Sequence, residues 1–255
     1  SVVVCNGGQV SAQNFTGTGT SYTWANDLPN IGLAASGTNS IAAFTAINNT
    51  SSVQTANITV TPQYLGSGIQ CSGSATNFTI AVNPTPTVLA TNDLAFCNGA
   101  VTAPLSFSGS GTSYNWTNSN LATGIIASGT GDISFLATNT TNGLIQGTVQ
   151  VTPIYINNAV SCTGLPQNVS ITINPTPTVD TISNVLVCAG QNVLVDFYST
   201  FNVPQTTYNW TSSIPSMGMG ASGVGSGMSF TSVNNSAASQ TATITVNPVF
   251  SNAGV

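Results

Sequence analysis

Short runs in which apolar and polar residues alternate recur along the whole chain. Val53-Gln54-Thr55-Ala56-Asn57-Ile58-Thr59-Val60-Thr61 alternates, and so does Thr76-Asn77-Phe78-Thr79-Ile80-Ala81-Val82. A period of two with Thr on the outer side predicts strands buried on one face against a second sheet. Turn residues separate the runs, most clearly at Cys5-Asn6-Gly7-Gly8, Cys97-Asn98-Gly99 and Cys188-Ala189-Gly190, where Asn and Gly accept the backbone angles of tight turns. No stretch carries a helical period with caps, so the pattern predicts an all-β protein.

The pattern repeats three times. Its anchors are Cys5, Cys97 and Cys188, followed by Trp24, Trp116 and Trp210, with steps of 92 and 91 residues between the cysteines and 92 and 94 between the tryptophans. Each Trp lies in a Tyr-x-Trp (Tyr22, Tyr114, Tyr208). A Gly follows eight residues on (Gly32, Gly124, Gly218), then a Ser-Gly pair at Gly37, Gly129 and Gly223, then Phe44, Phe135 and Phe230. Self-similarity at a fixed period is the mark of a tandem array. Asn83-Pro84-Thr85-Pro86-Thr87-Val88 recurs letter for letter as Asn174-Pro175-Thr176-Pro177-Thr178-Val179. Alternate prolines cannot donate to a sheet and hold the backbone extended, so Pro84, Pro86, Pro175 and Pro177 mark linkers. Three modules follow: residues 1–83, 84–174 and 175–255. The first lacks its incoming linker. The third ends at Val255, two residues before the position equivalent to Cys71 and Cys162, and is expected to lack its last strand.

About seven short strands per repeat, with a central Trp and paired cysteines, is the immunoglobulin-like pattern. Tyr22 and Trp24, Tyr114 and Trp116, and Tyr208 and Trp210 are two apart and share a face, expected to be the core face, with Phe15, Phe107 and Phe197 nearby. The third copy has a longer segment between Cys188 and Trp210, carrying Phe201 as a candidate exposed contact. Tyr64, Tyr155 and Phe250 each lie two residues after a recurring Pro and are further candidate ligand contacts.

Composition narrows the function. The chain holds no Lys, Arg or His, and its five acidic residues are Asp27, Asp93, Asp132, Asp180 and Asp196. Charged residues are 2% and apolar residues 41%, against about a quarter charged in ordinary domains. Without cations the chain cannot neutralise nucleic-acid phosphates or attach electrostatically to anionic lipid. No run of about 18 apolar residues occurs, so no membrane-spanning helix is expected. Without His, Lys or Glu, general acid–base catalysis has no group to tune near neutrality. The Asp residues are not equivalent between copies, and no acidic loop of the calcium-binding kind occurs. No catalytic residue, metal site or cofactor is expected, and the chain is read as not an enzyme.

Five cysteines at this spacing suggest one disulfide per module, Cys5–Cys71 and Cys97–Cys162, with Cys188 left unpaired. Each would close a loop of roughly 66 residues, a stabilisation of about 4 kcal/mol by chain entropy, and would imply an oxidising compartment. Geometry resists this pairing. In a strict seven-strand alternation the two cysteines of a module fall at opposite poles, whereas bridged Cα atoms must lie within about 7 Å. A staple between neighbours, Cys5–Cys162, is the alternative.

C-x-G near the start of each copy, Y-x-W in its middle, T-P followed by C-[ST]-G, and N-P-T-P-T-V at the exit together resemble the PKD-like modules of the Bacteroidota. The resemblance implies an extended array of immunoglobulin-like sandwiches at the bacterial cell surface, within very large secreted adhesins, including gliding-motility adhesins exported by the type 9 route. The W-D-F-G-D signature of animal-type PKD repeats is absent, since Trp24 is followed by Ala25-Asn26-Asp27. Asp180-Thr181-Ile182 resembles the O-glycosylation motif of the same bacteria, which makes Thr181 a candidate acceptor. The resulting expectation is a stiff stalk for surface attachment or gliding. Its partners would be neighbouring repeats, secretion and anchoring machinery acting through regions outside the fragment, and an extracellular polysaccharide or solid surface. The alternatives are that the repeats themselves bind such ligands, or that the chain is a filament subunit.

Overall fold

The computed structural model describes residues 1–252, so the last three residues of the third expected module lie outside the description. The first unit contains β1 (Val2–Cys5), β2 (Gln9–Val10), β3 (Gln13–Asn14), β4 (Ser21–Asn26), β5 (Ser36–Thr38), β6 (Ser40–Ile41), β7 (Phe44–Thr45), β8 (Gln54–Gly66), β9 (Ile69–Ser72) and β10 (Thr76–Asn83). The second contains β11 (Leu94–Cys97), β12 (Ser113–Asn118), β13 (Ser128–Thr130), β14 (Ile145–Asn157), β15 (Val160–Thr163) and β16 (Gln167–Asn174). The third contains β17 (Asn192–Asp196), β18 (Thr207–Ser212), β19 (Ser222–Val224), β20 (Gly227–Thr231) and β21 (Ile244–Val249).

The protein is an array of immunoglobulin-like β-sandwiches. In the first unit one sheet has the order β1-β10-β8-β4-β5, with β9 also pairing β8, and the short pairs β2–β7 and β3–β6 form the facing layer. The second repeats the large sheet as β11-β16-β14-β12-β13, with β15 on β14. β1 runs parallel to β10 and β11 parallel to β16, whereas the other pairs of these two sheets are antiparallel. Ten strands in the first unit exceed the expected seven. The facing layer is broken into two-residue pieces, and the long strands β8 and β14 run on into hairpins with β9 and β15.

Alternation explains which residues meet. Ala56, Ile58 and Val60 of β8 and Ile80 and Val82 of β10 are buried with Val10, Ile31 and Ile41. Val149, Val151, Val169, Ile171 and Ile173 repeat the arrangement around Phe107 and Ile133. The third unit buries Phe197, Tyr208, Met219 and Met228.

The recurring residues have local reasons. Each Trp faces a glycine across a strand pair, Trp24 with Gly37, Trp116 with Gly129 and Trp210 with Gly223. The indole lies over the glycine so closely that a Cβ there would fall 2.4, 2.4 and 2.5 Å from Cζ2, so a side chain is excluded. The preceding Tyr packs on a Phe at centroid distances of 5.9 Å (Phe15–Tyr22), 6.2 Å (Phe107–Tyr114) and 6.3 Å (Phe197–Tyr208). Trp24, Trp116 and Tyr208 are buried, while Tyr22, Tyr114 and Trp210 are half-buried. The Gly eight residues after each Trp closes a short 3-10 turn, with φ of 89°, 93° and 96° at Gly32, Gly124 and Gly218, a left-handed conformation open to glycine.

Candidate functional site: the junction between units

The features shared by two neighbouring units converge at the junction around Asn83. Because β1 is parallel to β10, Cys5 lies opposite Asn83 at the exit end of the first unit. Cys162 lies on the β14–β15 hairpin, opposite Tyr155, at the entry end of the second. These two are bonded, with a Cα–Cα distance of 5.6 Å.

This corrects the expected pairing. Cys5–Cys71 and Cys97–Cys162 are not formed, and Cys71, Cys97 and Cys188 are free and exposed. Cys71 lies opposite Tyr64 near the far end of β8, ten residues from Gln54, which pairs with Val82 beside the exit. At about 3.3 Å per residue the two ends are about 30 Å apart, so a bridge within the unit cannot close. Cys162 belongs to the unit that abuts that exit.

Amides fasten the same place. The buried Asn83 accepts at Oδ1 from Asn157 Nδ2 at 2.8 Å, and its own Nδ2 points at Cys162 Sγ at 3.6 Å. The backbone N–H of Asn6 donates to Asn83 O at 2.9 Å, and Asn6 Nδ2 donates to Thr85 Oγ1 at 2.9 Å. The linker is therefore held to the unit it leaves. It is also held to the unit it enters: Thr87 N donates to Ser110 Oγ at 2.9 Å, Leu89 N donates to Ser108 O at 2.8 Å, and Val88 is part of the second core. Pro84 and Pro86 sit in this fastened segment. Pro175 and Pro177 occupy the corresponding place after β16, where Asn98 Nδ2 donates to Thr176 Oγ1 at 2.9 Å.

One further recurring residue escaped the sequence reading. Asn48 donates from Nδ2 to Ser52 O and Val82 O, at 2.8 and 2.7 Å, and accepts from Thr50 N at 2.9 Å. Asn139 does the same with Gly143 O, Ile173 O and Thr141 N. Among the described residues Asn234 donates to Ala238 O and accepts from Ser236 N and Oγ, with no strand carbonyl in reach. The signal was present as N-x-[ST] in register 23 or 24 residues after each Trp, hidden among many similar tripeptides.

The candidate ligand contacts are not brought together into one site. Tyr64 is 55% exposed on the first hairpin and Phe201 41% exposed in the third unit, while Tyr155 and Phe250 are half-buried. Thr181 is exposed, between Asp180, which accepts from Thr200 N at 2.8 Å, and Ile182, which packs on the third core. Among the described residues no three His, Cys, Asp or Glu side chains gather as metal ligands, and no helix is long and apolar enough to cross a membrane.

A family model described as a PKD-like domain matches residues 2–86. No curated protein matches the chain. Among solved structures, mouse Protocadherin-24 EC1-3 shares 15% identity, over 91% of this chain and 83% of that one, with a TM-score of 0.43. Mouse Cadherin-23 EC22-24 shares 15% over 83% and 75%, with a TM-score of 0.32. The insect immune protein hemolin shares 10% over 97% and 73%, with a TM-score of 0.30. At these scores the likeness carries nothing about binding.

Proposed function

We propose that this chain is a non-catalytic stretch of a large secreted bacterial surface adhesin, in which modules 1–83, 84–174 and 175–255 act as a stiff, disulfide-stapled stalk for surface attachment or gliding. The observation that carries this reading is the junction. A covalent bond, a buried Asn83 held by the half-buried Asn157 and a linker hydrogen-bonded on both sides restrain the same few residues, which leaves a hinge little freedom. The disulfide fits an oxidising, extracellular setting. The lack of Lys and Arg leaves a trypsin-like protease nowhere to cut, a useful property for an exposed protein.

Small-angle scattering on the oxidised and reduced chain tests the reading. A rod whose cross-section and length persist when oxidised is expected, with greater flexibility after reduction. A freely jointed or compact oxidised particle would defeat it. A second reading, polysaccharide or surface binding by the modules themselves, is favoured by the exposed Tyr64 and Phe201 aromatic rings; saturable binding lost in Tyr64→Ala or Phe201→Ala would establish it.

A further inference from the structure

The third unit is longer than the others in one place. Phe15 to Tyr22 and Phe107 to Tyr114 are steps of seven residues, whereas Phe197 to Tyr208 is a step of eleven. The added length is ordered. Asp180 N donates to Tyr198 O at 2.9 Å and Thr200 N donates to Asp180 Oδ2 at 2.8 Å, which ties the start of the segment to the chain arriving from the second unit. At its far end Val203 is sealed, 3% exposed, and Thr206 Oγ1 donates to the Val203 carbonyl at 2.7 Å. Between these anchors Phe201 and Asn202 stand exposed.

The exposed stretch reaches back to the second unit. Asn142 Nδ2 donates to Asn202 O at 3.0 Å, between residues 60 apart. Asn142 is presented by a loop that is fixed on both sides of it. Asn139 accepts from Thr141 N at 2.9 Å, donates to Gly143 O at 2.8 Å, and donates again to Ile173 O near the end of β16. Donor and acceptor are therefore each placed by their own unit, and a contact between preset groups forgoes less freedom than one between mobile chains. The first junction is built otherwise. Ser51 stands where Asn142 stands, and the shorter step from Phe107 to Tyr114 has no counterpart of Asn202.

We propose that the added segment of the third unit, residues 199–206, is a brace that latches onto the Asn139 loop of the second unit and sets the angle at which the third unit leaves. The segment then serves contact within the chain, and Phe201 marks the brace rather than a ligand site. Nothing in this brace depends on the stalk reading, which turns on the first junction, so either can fail while the other stands.

The native thiols of Cys97 and Cys188, one on each side of the second junction and both free and exposed, allow a direct test. Nitroxide labels on these two, in protein carrying Cys71→Ser and the intact Cys5–Cys162 bond, report the distance across the junction by pulsed electron–electron resonance. One dominant distance is expected. Asn142→Ala should lower the ratio of that distance to all others about fivefold, the weight of one ordinary hydrogen bond. Asn142→Asp, which sets a carboxylate against the Asn202 carbonyl, should lower it further. Thermal unfolding of the second unit should be unmoved in both, since Asn142 is exposed in its own unit. A broad distribution before any change at Asn142, or a distribution that neither variant alters, overturns the brace. Broadening that comes with a lower unfolding temperature of the second unit overturns it as well, because Asn142 would then be supporting its own unit.

Discussion

The second and third units carry the same recurring residues and use them to different depths. In the second unit β11 pairs with β16, and Val169, Ile171 and Ile173 of β16 are sealed into the core. In the third no described strand occupies the place of β16. The segment before β17 forms no strand, and Leu186 within it is 97% exposed. Asn139 spends one amide hydrogen on the carbonyl of Ile173, while Asn234 has no strand carbonyl to reach. The comparison teaches that β16 organises two things at once. It supplies the partner that makes the first strand of the unit a strand, and the acceptor that turns a loop Asn into a core clasp. Apolar sequence alone does neither, since Val185, Leu186 and Val187 are as strand-like as Leu94, Ala95 and Phe96.

Changes directed at the first two units should therefore cost far more than the same changes in the third. The largest effect is expected from Cys162→Ser. Loss of a bridge between residues 157 apart removes about 5 kcal/mol in the chain-entropy model, seen as a lower denaturation midpoint for the first two units with the third unmoved. Next comes Trp116→Ala, about 4 kcal/mol for a buried indole; the half-buried Trp210→Ala should cost clearly less, and equal losses would erase the distinction between the units. Asn139→Ala leaves Ile173 O buried without its donor and should cost about 2 kcal/mol, while Asn234→Ala should cost less than about half of that; paired chemical denaturation measures both.

The smallest effect separates the first unit from the other two. Asp27 Oδ1 accepts from Asn57 N at 2.7 Å, where the others use Ser119 Oγ with Thr148 N and Ser213 Oγ with Thr243 N, each at 2.8 Å. Hydrogen bonds from the Asn57 side chain and backbone hold the Asp27 carboxyl below its ordinary value of 3.8. A carboxyl depressed in the folded state adds stability above its unfolded value and loses it as pH falls through the folded one. A slight weakening of the first unit alone is expected below about pH 4, absent in Asp27→Ser. Thermal melts from pH 5 to pH 2 would show it.

Much of the fold was legible because it follows from patterns that repeat in register. The two-residue alternation located β8 and β10, and the invariant spacing of Trp24, Trp116 and Trp210 to Gly37, Gly129 and Gly223 had a steric cause. The disulfide was legible only as the alternative pairing, Cys5–Cys162, because within-unit and between-unit pairings use the same five cysteines. What decides between them is the direction of β1, parallel to β10, and a four-residue strand carries no mark of its direction. The role of Asn83 was hidden for a related reason. It opens the proline motif and reads as linker, yet it ends β10 and is buried by the unit that follows.

The bond between Cys5 and Cys162 also changes the route by which a pull travels along the molecule. Force entering at the first strand crosses a Cα–Cα gap of 5.6 Å and leaves from the second hairpin. The chain between them, with a contour of about 500 Å if drawn out, bears none of that tension while the bond holds. Most of the first two units thus hangs in a slack loop beside a short covalent path. The chain inside that loop yields no length until the bond itself fails, whereas the third unit, outside the loop, has no such bypass.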